Sequence, residues 1–346
     1  MYAGFVVPGD LDSTTGGYLY DRRLRDALRN RGHEIEMISI PRHGYARGLF
    51  DNLRPPLRGV GADRFDVLIE DGLGHPSLLL DNRRIETPTV GLLHMIRSEA
   101  ESGLQGRIVG GIEGKYLRGL DGAIHNSGAT RRCARRLGCP ARDVVAPPTG
   151  DRFDPDVTPD EIRDSGEDDR LDVLFVGGVV PRKGIDVLIE AIDLLDCVTL
   201  TVVGDRTIDP GFVAEIEATI QRRTLGESIH FAGRLDDDAL ESELREADVL
   251  AVPSRYEPFG IVYLEAMGFG TVPVATTNGG PAEFIDDGVS GFVVEPTAAQ
   301  VADRLSTLTD PERRAEMAVA ARAAYDSHPD WPETVDRIEA FLEGVA

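Results

Sequence analysis

The chain alternates short β-branched runs with segments of helical character along nearly its whole length, and this alternation restricts the fold more than any other feature. In the first half the candidate strands are 3–7, 34–40, 66–69, 88–93, 122–125 and 144–146. In the second half they are 173–176, 198–203, 229–232, 249–252, 272–275 and 291–294. A strand that is repeatedly followed by a helix predicts a parallel sheet covered on both faces.

Helices are predicted between these strands. In the first half they span 18–31, 97–120 and 127–137, with Ser127 as an N-cap. In the second half they span 184–195, 212–224, 237–246, 259–268 and 280–285, and residues 298–346 are expected to form two or three more. The fold class is therefore α/β, with two doubly wound, Rossmann-like domains that face each other across a ligand-binding cleft.

The domain boundaries follow from composition. Residues 151–170 are rich in Pro, Asp and Gly and have little periodicity, which is typical of a linker. We therefore expect an N-terminal domain at 1–150 and a C-terminal domain at 171–325, joined by a linker at 151–170. A terminal helix at 326–346 could cross back to the N-terminal domain.

Charge and composition exclude several classes of protein. The 346 residues include 37 basic and 60 acidic side chains, a net charge of −23, which argues against a nucleic-acid binder. No apolar run has the length of a membrane span, and the first ten residues lack the basic start of a signal peptide. Cys133, Cys139 and Cys197 have no metal-site or CxxC spacing, which favours a reducing cytoplasm.

The basic residues are distributed unevenly. Lys115 and Lys183 are the only lysines among the 37 basic residues, and acid excess with so little lysine indicates adaptation to high salt, as in an extreme halophile. Residues 1–150 carry 21 basic and 18 acidic residues, whereas residues 151–346 carry 16 and 42. Either the first half has a smaller exposed surface, or it meets something anionic, such as a phospholipid surface or a phosphorylated acceptor.

The sequence at two of the predicted helix starts favours binding of a phosphate group. Gly16 and Gly17 follow the first strand, and adjacent glycines let backbone N–H groups approach an anion at a helix N-terminus. Arg182 and Lys183 precede another helix, where cations oppose the helix dipole unless an anion lies between. The loop at Gly16 could also be an ordinary turn, and neither loop is a GxGxxG dinucleotide fingerprint.

The most informative segment is 253–267, PSRYEPFGIVYLEAM. Pro258 fits the first turn of a helix, which would place Glu257 just before it and Glu265 about two turns inside. The N–H groups of Gly260, Ile261 and Val262 would then point at a ligand. Two carboxylates beside an anion site suit a sugar nucleotide, because one can accept from sugar hydroxyls and the other from ribose hydroxyls.

Glu257-Pro258-Phe259-Gly260 followed by Glu265 resembles the E-x7-E signature of retaining glycosyltransferases of family 4 (glycosyl transferases group 1), which have the GT-B fold. Similar segments follow in order at 270–275, 279–283 and 287–292. The resemblance covers nearly the whole chain and is most specific in 173–295. It implies a transferase of the EC 2.4 hexosyltransferase type that moves a sugar from a UDP-, GDP- or ADP-sugar to the hydroxyl of a lipid, glycan or small molecule.

The resemblance also implies that 1–150 is the acceptor-side domain and that 171–325 is the nucleotide-sugar-binding domain, and it implies roles for single residues. Glu257 and His94 would act on the transferred sugar, and Glu265 would bind the ribose. The remaining donor-binding residues would be Gly16, Gly17, Arg182, Lys183, Arg234, Leu235, Phe259, Gly260, Ile261 and Val262. Where the family often has Gly-Arg, this chain has Gly177-Gly178, and Arg182 could replace the missing arginine.

No metal or other cofactor is implied by the resemblance. Residues 236–238, three aspartates in a row, could suggest a metal motif, but beside a helix start they favour a cap. For the acceptor, Glu70, Asp71 and His75 end the third strand and could bind hydroxyls. Two helices in the first half carry arginines that could approach a lipid headgroup surface or simply face solvent, which leaves the site of action cytoplasmic or peripheral at the inner membrane face. Those basic residues are Arg97, Arg107, Lys115 and Arg118, then Arg131, Arg132, Arg135 and Arg136.

Three other functions remain open. A sugar-nucleotide epimerase of related fold would need an acid–base set near the anomeric carbon, and a non-catalytic sugar-nucleotide-binding protein would not need both Glu257 and Glu265. An NAD-dependent oxidoreductase is disfavoured by the missing fingerprint.

Overall fold

The computed structural model describes residues 1–9, 16–164 and 170–346. The chain forms two compact units. Unit 1 comprises Met1–Pro148 and Pro329–Ala346, and unit 2 comprises Thr149–His328. Within the described ranges, no helix is both long enough and apolar enough to cross a lipid bilayer.

Unit 1 contains a parallel sheet in the order β2-β1-β3-β4-β5-β6. These strands are β1 Tyr2–Pro8, β2 Glu34–Ile40, β3 Val67–Asp71, β4 Thr89–Leu93, β5 Gly122–His125 and β6 Asp143–Val145. Its helices are α1 Gly16–Asn30, α2 Tyr45–Asp51, α3 His75–Leu78, α4 Gly103–Leu117, α5 Gly128–Arg136 and α13 Trp331–Val345. One apolar core contains side chains of α1 and α13, and a second contains side chains of α3, α4 and α5.

Unit 2 contains a second parallel sheet in the order β12-β11-β10-β7-β8-β9. The strands are β7 Leu171–Val176, β8 Val198–Val203, β9 Ile229–Gly233, β10 Val249–Ala251, β11 Val272–Thr276 and β12 Phe292–Val294. The helices are α6 Pro159–Asp164, α7 Ile185–Ile192, α8 Pro210–Arg222, α9 Asp237–Glu246, α10 Ile261–Gly268, α11 Ala298–Thr307 and α12 Pro311–Asp326. Since the strands are parallel, their carboxyl ends share one edge of the sheet, where the loops can form a binding site.

Two predicted caps are confirmed. Ser127 Oγ accepts a hydrogen bond from the Thr130 amide at 3.0 Å and begins α5. Asp236 accepts from the Ala239 amide at 3.0 Å and begins α9, so this acidic residue acts as a helix cap.

The prediction of one helix over 97–120 is wrong. A 3₁₀ helix at Arg97–Ala100 precedes α4, which begins at Gly103. The buried carboxylate of Glu113 accepts hydrogen bonds from the amides of Arg97 and Ser98, at 2.7 and 3.0 Å, and these bonds hold the 3₁₀ segment against α4. Arg97 therefore does not lie on α4 with the other basic residues.

The helix predicted at 280–285 is reduced to a 3₁₀ turn, Pro281–Glu283. The Gly280 amide bonds the carbonyl of Glu257, 23 residues earlier, and Pro281 has no amide hydrogen to donate. A long-range bond therefore takes the place of a regular helix start.

The linker predicted at 151–170 is also different in the structure. Phe153 and Ile162 are 7% and 4% exposed and belong to the core of unit 2, and α6 lies within the same stretch. Phe153 and Ile162 are too far apart in the chain to form a periodic pattern, yet both side chains pack in the core of unit 2. Residues 165–169 of the predicted linker lie outside the described residues.

Candidate functional site

The backbone of Glu257 is fixed by the loop that follows β11. The Glu257 amide donates to the Asn278 carbonyl at 2.9 Å, and the Glu257 carbonyl accepts from the Gly280 amide at 3.0 Å. Between them Gly279 adopts a φ of 149°, and a Cβ added there would lie 1.7 Å from the Glu257 carbonyl oxygen. The close approach of the two chains therefore requires glycine at 279.

The Glu257 carboxylate is 7% exposed and ion-paired. Its Oε2 lies 2.6 Å from Lys183 Nζ and accepts from Ser254 Oγ at 3.0 Å. Burial alone would raise the pKa of Glu257, but the positive charges of Lys183 and Arg182 and these hydrogen bonds outweigh it and hold the pKa below its usual value. The Arg182 Nη1 donates to the Tyr256 carbonyl at 2.8 Å, so both cations contact the same loop.

Helix α10 begins later than predicted. Gly260 has a φ of 92° and acts as the N-cap, so α10 starts at Ile261 and Pro258 lies outside its first turn. This prediction is wrong because the left-handed conformation of Gly260 interrupts the helical backbone. The first amides of an α-helix have no acceptor within the helix, so the N–H groups around Ile261 and Val262 keep the anion-binding character that the sequence predicts.

Glu265 lies in the middle of α10 and is 5% exposed. Burial raises its pKa to about 7, although Arg152, whose Nη1 is 4.0 Å from Glu265 Oε1, opposes the rise. Arg152 also pairs with Asp237 at the start of α9. Near neutral pH the Glu265 carboxyl is thus poised between its two protonation states.

Arg234 and Leu235 follow β9, whose last residue is Gly233. The Arg234 side chain is 63% exposed and lies 3.6 Å from Asp205, which follows β8. Arg234 therefore extends from the carboxyl edge of the sheet of unit 2, where the base was expected to bind.

Unit 1 brings Gly17 and His94 together. His94 follows β4, and a Cβ added to Gly17 would lie 3.2 Å from the His94 ring. The His94 Nε2 is 2.7 Å from Asp21 Oδ1, and Tyr20 packs against the ring in a T-shaped contact. Gly16 begins α1, and the part of the predicted phosphate loop at 10–15 lies outside the described residues.

Asp71 and His75, which were predicted to bind the acceptor, are buried, at 1% and 4% exposed. Asp71 is the last residue of the buried strand β3, and a 3₁₀ turn at Gly72–Gly74 leads directly to His75 at the start of α3. His75 Nδ1 is 2.9 Å from the Gly72 carbonyl, its Nε2 is 3.2 Å from Tyr45 Oη, and burial lowers its pKa. A role of either residue in acceptor binding stays a prediction.

The basic residues of α5 line a shallow groove of about 680 Å³ together with Gly128. Arg131 and Arg135 both bind Asp143, and Arg136 binds Glu99. On α4, Arg107 and Lys115 are exposed. The four groove residues are Arg131, Arg132, Arg135 and Arg136.

Sequence reasoning missed four residues of these sites. Ser254 lies inside the segment already singled out, but a lone serine carries no signal of its own. Arg152 lies in the stretch interpreted as a linker, and Asp21 and Gly279 have partners that are 73 and 22 residues away in the chain.

Comparison with known proteins gives the class of this fold and site. Residues 157–324 match the model of the family "Glycosyl transferases group 1". The sucrose-phosphate synthase of Thermosynechococcus elongatus superposes with a TM-score of 0.83 at 20% identity, covering 99% of this chain and 98% of that chain. Anabaena HepE in complex with UDP-glucose gives 0.77 at 21% identity, covering 99% and 100%. The fold is GT-B.

Relatives in sequence are glycosyltransferases. The D-inositol 3-phosphate glycosyltransferase of Xylanimonas cellulosilytica is 31% identical over 265 residues, which are 70% of this chain and 63% of that protein. The alpha-D-kanosaminyltransferase of Streptomyces kanamyceticus is 34% identical over 160 residues, 44% of this chain and 40% of that protein. The chain thus spans roughly two fifths to three fifths of the length of these relatives.

Proposed function

We propose that this chain is a retaining, metal-independent glycosyltransferase of family 4 that transfers a sugar from a nucleotide-diphosphate sugar to an acceptor hydroxyl. The observation that carries the proposal is the arrangement in unit 2, where Lys183 and Glu257 form an ion pair beside the start of α10 and Glu265 lies within that helix. This arrangement lies inside the region that matches glycosyl transferases group 1.

Lys183 supplies positive charge where the leaving diphosphate develops negative charge. In the free protein its ammonium is held by Glu257, at 2.6 Å. A diphosphate that draws Lys183 towards itself would release an oxygen of Glu257 to accept hydroxyls of the transferred sugar. The ion pair thus couples recognition of the phosphates to recognition of the sugar, and fixed amides at the start of α10 add to the stabilisation.

Transfer replaces one bond of the anomeric carbon with another on the same face of the sugar. The bond between the anomeric carbon and the phosphate oxygen breaks, the acceptor oxygen bonds to the same carbon on the same face, and the acceptor proton passes to the released phosphate oxygen. Glu257 then positions the sugar and is not a nucleophile. Its lowered pKa fits this role, since a positioning acceptor has to stay ionised.

The donor class is tested by a screen of UDP-, GDP- and ADP-sugars. Thermal shift and hydrolysis are measured in high salt, as the acidic composition suggests, with EDTA present. We expect one nucleotide to stabilise the protein clearly above the others. Failure of every nucleotide sugar to stabilise the protein would exclude the donor hypothesis, and activity that appears only after a divalent metal is added would exclude metal independence.

Two other functions predict different products. A sugar-nucleotide epimerase would convert the donor without an acceptor and release no nucleoside diphosphate. A binding protein would show the thermal shift without turnover. Product analysis by mass spectrometry separates both from glycosyl transfer.

We also propose that unit 1 makes peripheral contact with an anionic lipid surface. On α4, Leu104 and Ile108 are 72% and 56% exposed and lie one turn apart, with Arg107 between them. On α2 and just beyond it, Phe50 and Leu53 are also exposed, at 69% and 80%. Apolar side chains interspersed with arginines are typical of a surface that inserts shallowly among anionic headgroups.

Vesicle co-sedimentation tests this contact. We expect binding to phosphatidylglycerol vesicles and a loss of about tenfold or more in Leu104→Ser/Ile108→Ser, since each buried CH₂ contributes about 0.8 kcal/mol. Leu194→Ser/Val289→Ser removes similarly exposed side chains from unit 2, at 61% and 53%, and serves as the matched control. Equal binding of the two double variants to phosphatidylglycerol vesicles would contradict the proposal. So would equal binding of the unaltered protein to phosphatidylglycerol and phosphatidylcholine vesicles.

A further inference from the structure

Three ionisable side chains of unit 1 meet at the carboxyl edge of its sheet. Asp71 is the last residue of β3, and His94 follows β4, the neighbouring parallel strand. Asp21 reaches the same point from α1. One ligand atom of each side chain lies within 4.8 Å of the corresponding atoms of the other two.

The contacts define the direction of one hydrogen bond. His94 Nε2 lies 2.7 Å from Asp21 Oδ1, and an ionised carboxylate can only accept, so Nε2 carries the proton. Asp71 Oδ1 accepts from the Leu73 amide at 2.9 Å. Within the described part of the chain, the second oxygen of each aspartate has no hydrogen-bond partner, although the two residues are 0% and 1% exposed.

Two buried carboxylates this close together cannot both ionise without a large cost, because their charges repel and neither is hydrated. Burial and the negative charge of Asp21 raise the pKa of Asp71 to about 7, and the positive charges of His94 and Arg42 only partly oppose this. Burial lowers the pKa of His94, but the charge and hydrogen bond of Asp21 and, more weakly, the charge of Asp71 outweigh it, so that the net pKa is raised.

Besides Arg42, three tyrosines interact electrostatically with Asp21 or Asp71. Tyr18 and Tyr20 belong to α1, and Tyr116 belongs to α4. All three phenols have a pKa raised by burial and stay neutral through the physiological range. They supply no charge that would compensate the second carboxylate.

We propose that Asp21 and Asp71 form a buried acid pair that retains one proton on Asp71, and that Asp21, thereby kept ionised, is the positioning residue that orients His94. The functional part of this inference rests on the proposed function and on the role that the family resemblance implies for His94, which is contact with the donor sugar. A protonated Asp71 can donate towards Asp21, whose other oxygen holds the imidazole. The His94 ring is thereby fixed in one orientation and favours its charged form, which complements a polyanionic donor.

Histidine side-chain NMR tests the pair in the absence of any substrate. The ¹⁵N signals of His94 are followed from pH 5 to pH 9. In the unaltered protein Nε2 should stay protonated, with a midpoint above the usual value near 6.5. Asp21→Asn should lower the midpoint by one pH unit or more. Asp71→Asn should lower the midpoint by clearly less than Asp21→Asn does, because Asp71 gains its charge only as the pH rises through about 7.

Asp81→Asn provides the matched control. Asp81 is a buried aspartate of unit 1, 4% exposed, whose carboxylate accepts from the Leu57 amide and does not belong to the cluster. It should leave the His94 midpoint unchanged. An equal fall in Asp71→Asn and Asp21→Asn would show that Asp71 is ionised and would overturn the acid pair. An unchanged midpoint in Asp21→Asn would overturn its link to His94.

A cation offers the competing explanation for two acids beside a histidine. Magnesium or calcium chloride, added at 1 mM to the unaltered protein, should leave the His94 signals in place. A saturable shift that is abolished in Asp71→Asn would show that the cluster holds a divalent ion instead of a proton, and would overturn the proposal.

Turnover supplies a second readout once a donor is known. Asp21→Asn should lower kcat at least tenfold and change the donor KM by less than about twofold, since positioning acts on the bound sugar. Asp71→Asn should flatten the pH–rate profile near pH 7. Circular dichroism confirms the fold of each variant. Because the NMR titration needs no substrate, failure of the acid pair remains distinguishable from failure of the glycosyltransferase assignment.

Discussion

The two units have the same type of parallel sheet but hold their charges in different ways. Unit 1 contains 22 basic and 23 acidic residues and unit 2 contains 15 and 37. In unit 2 the central acid, Glu257, is neutralised by a lysine at hydrogen-bonding distance. In unit 1 two acids are buried beside one histidine, and the proposed proton on Asp71 would remove the repulsion between the two carboxylates. Similar strand edges therefore hold an ion pair in unit 2, which we propose a diphosphate opens, and an acid–histidine cluster in unit 1, which we propose responds to pH.

The largest effect should come from removing the acid of the ion pair. Glu257→Gln should lower transfer by about a thousandfold, because an amide replaces the carboxylate that accepts the sugar hydroxyls. Nucleoside diphosphate affinity should stay the same or rise slightly, since Lys183 loses the partner that competes with phosphate. Isothermal calorimetry and initial rates check the two statements separately.

The control for this variant is Glu295→Gln, the same chemical change at an exposed position of unit 2. It should leave both rate and affinity unaltered. Normal turnover by Glu257→Gln would remove this residue from the mechanism. A large loss of nucleotide affinity would mean that Glu257 and Lys183 bind the donor together and do not compete.

The next effect concerns the loop that holds Glu257 in place. Gly279→Ala should destabilise the protein by roughly 3 kcal/mol, because the added methyl group would overlap the Glu257 carbonyl oxygen. Gly288→Ala is the matched control, with a φ of 78° and no atom within 4 Å of the added carbon. It should lose only about 1 kcal/mol, the cost of the left-handed backbone. Chemical denaturation measures both, and equal losses would show that backbone strain alone decides the outcome.

The ability to predict the two sites from sequence follows the same division. In unit 2 most of the site is local, since Ser254, Glu257 and Glu265 lie within twelve consecutive residues, and the pattern identifies the two glutamates as one motif. In unit 1 the site depends on Asp21, Asp71 and His94, which no local pattern connects. The short helices α2, α3 and α6 were not predicted, whereas the strand positions were predicted well, because β-branching is a local property. The start of α10 was not, because it depends on the left-handed backbone of Gly260.

A smaller effect should appear in the pH dependence of donor binding. The pKa of Glu265 is raised to about 7, so the carboxyl loses its proton as pH rises through neutrality. The ionised form is the stronger acceptor for ribose hydroxyls. Affinity for a nucleoside diphosphate should therefore rise about tenfold from pH 6 to pH 8, the change in the ionised fraction of one such group.

Glu265→Gln separates this titration from that of the nucleotide phosphates. Its affinity should be lower at pH 8 and should lack the Glu265 contribution to the pH slope, whereas Glu295→Gln should keep the full slope. The calorimetric titrations are made in buffers of different ionisation enthalpy, so that proton release is counted directly. An identical slope in Glu265→Gln and the unaltered protein would show that the carboxyl does not take part in binding.

The smallest expected effect concerns Gly17, which lies beside His94 in unit 1. Gly17→Ala places a methyl group 3.2 Å from the His94 ring, close enough to displace the ring by a few tenths of an ångström. In the helix interior alanine is favoured over glycine by about 1 kcal/mol, as Gly111→Ala on α4 should show, because no atom lies within 4 Å of its added carbon. At Gly17, the second residue of α1, the gain is smaller, and the contact with His94 should offset it, leaving stability nearly unchanged while the hydrogen bond to Asp21 is strained. The His94 Nε2 signal should then shift in Gly17→Ala and stay in place in Gly111→Ala. An equal rise in stability in both variants, with no shift of the signal, would show that the added methyl group fits between α1 and the His94 ring. The position of His94 would then not require glycine at 17.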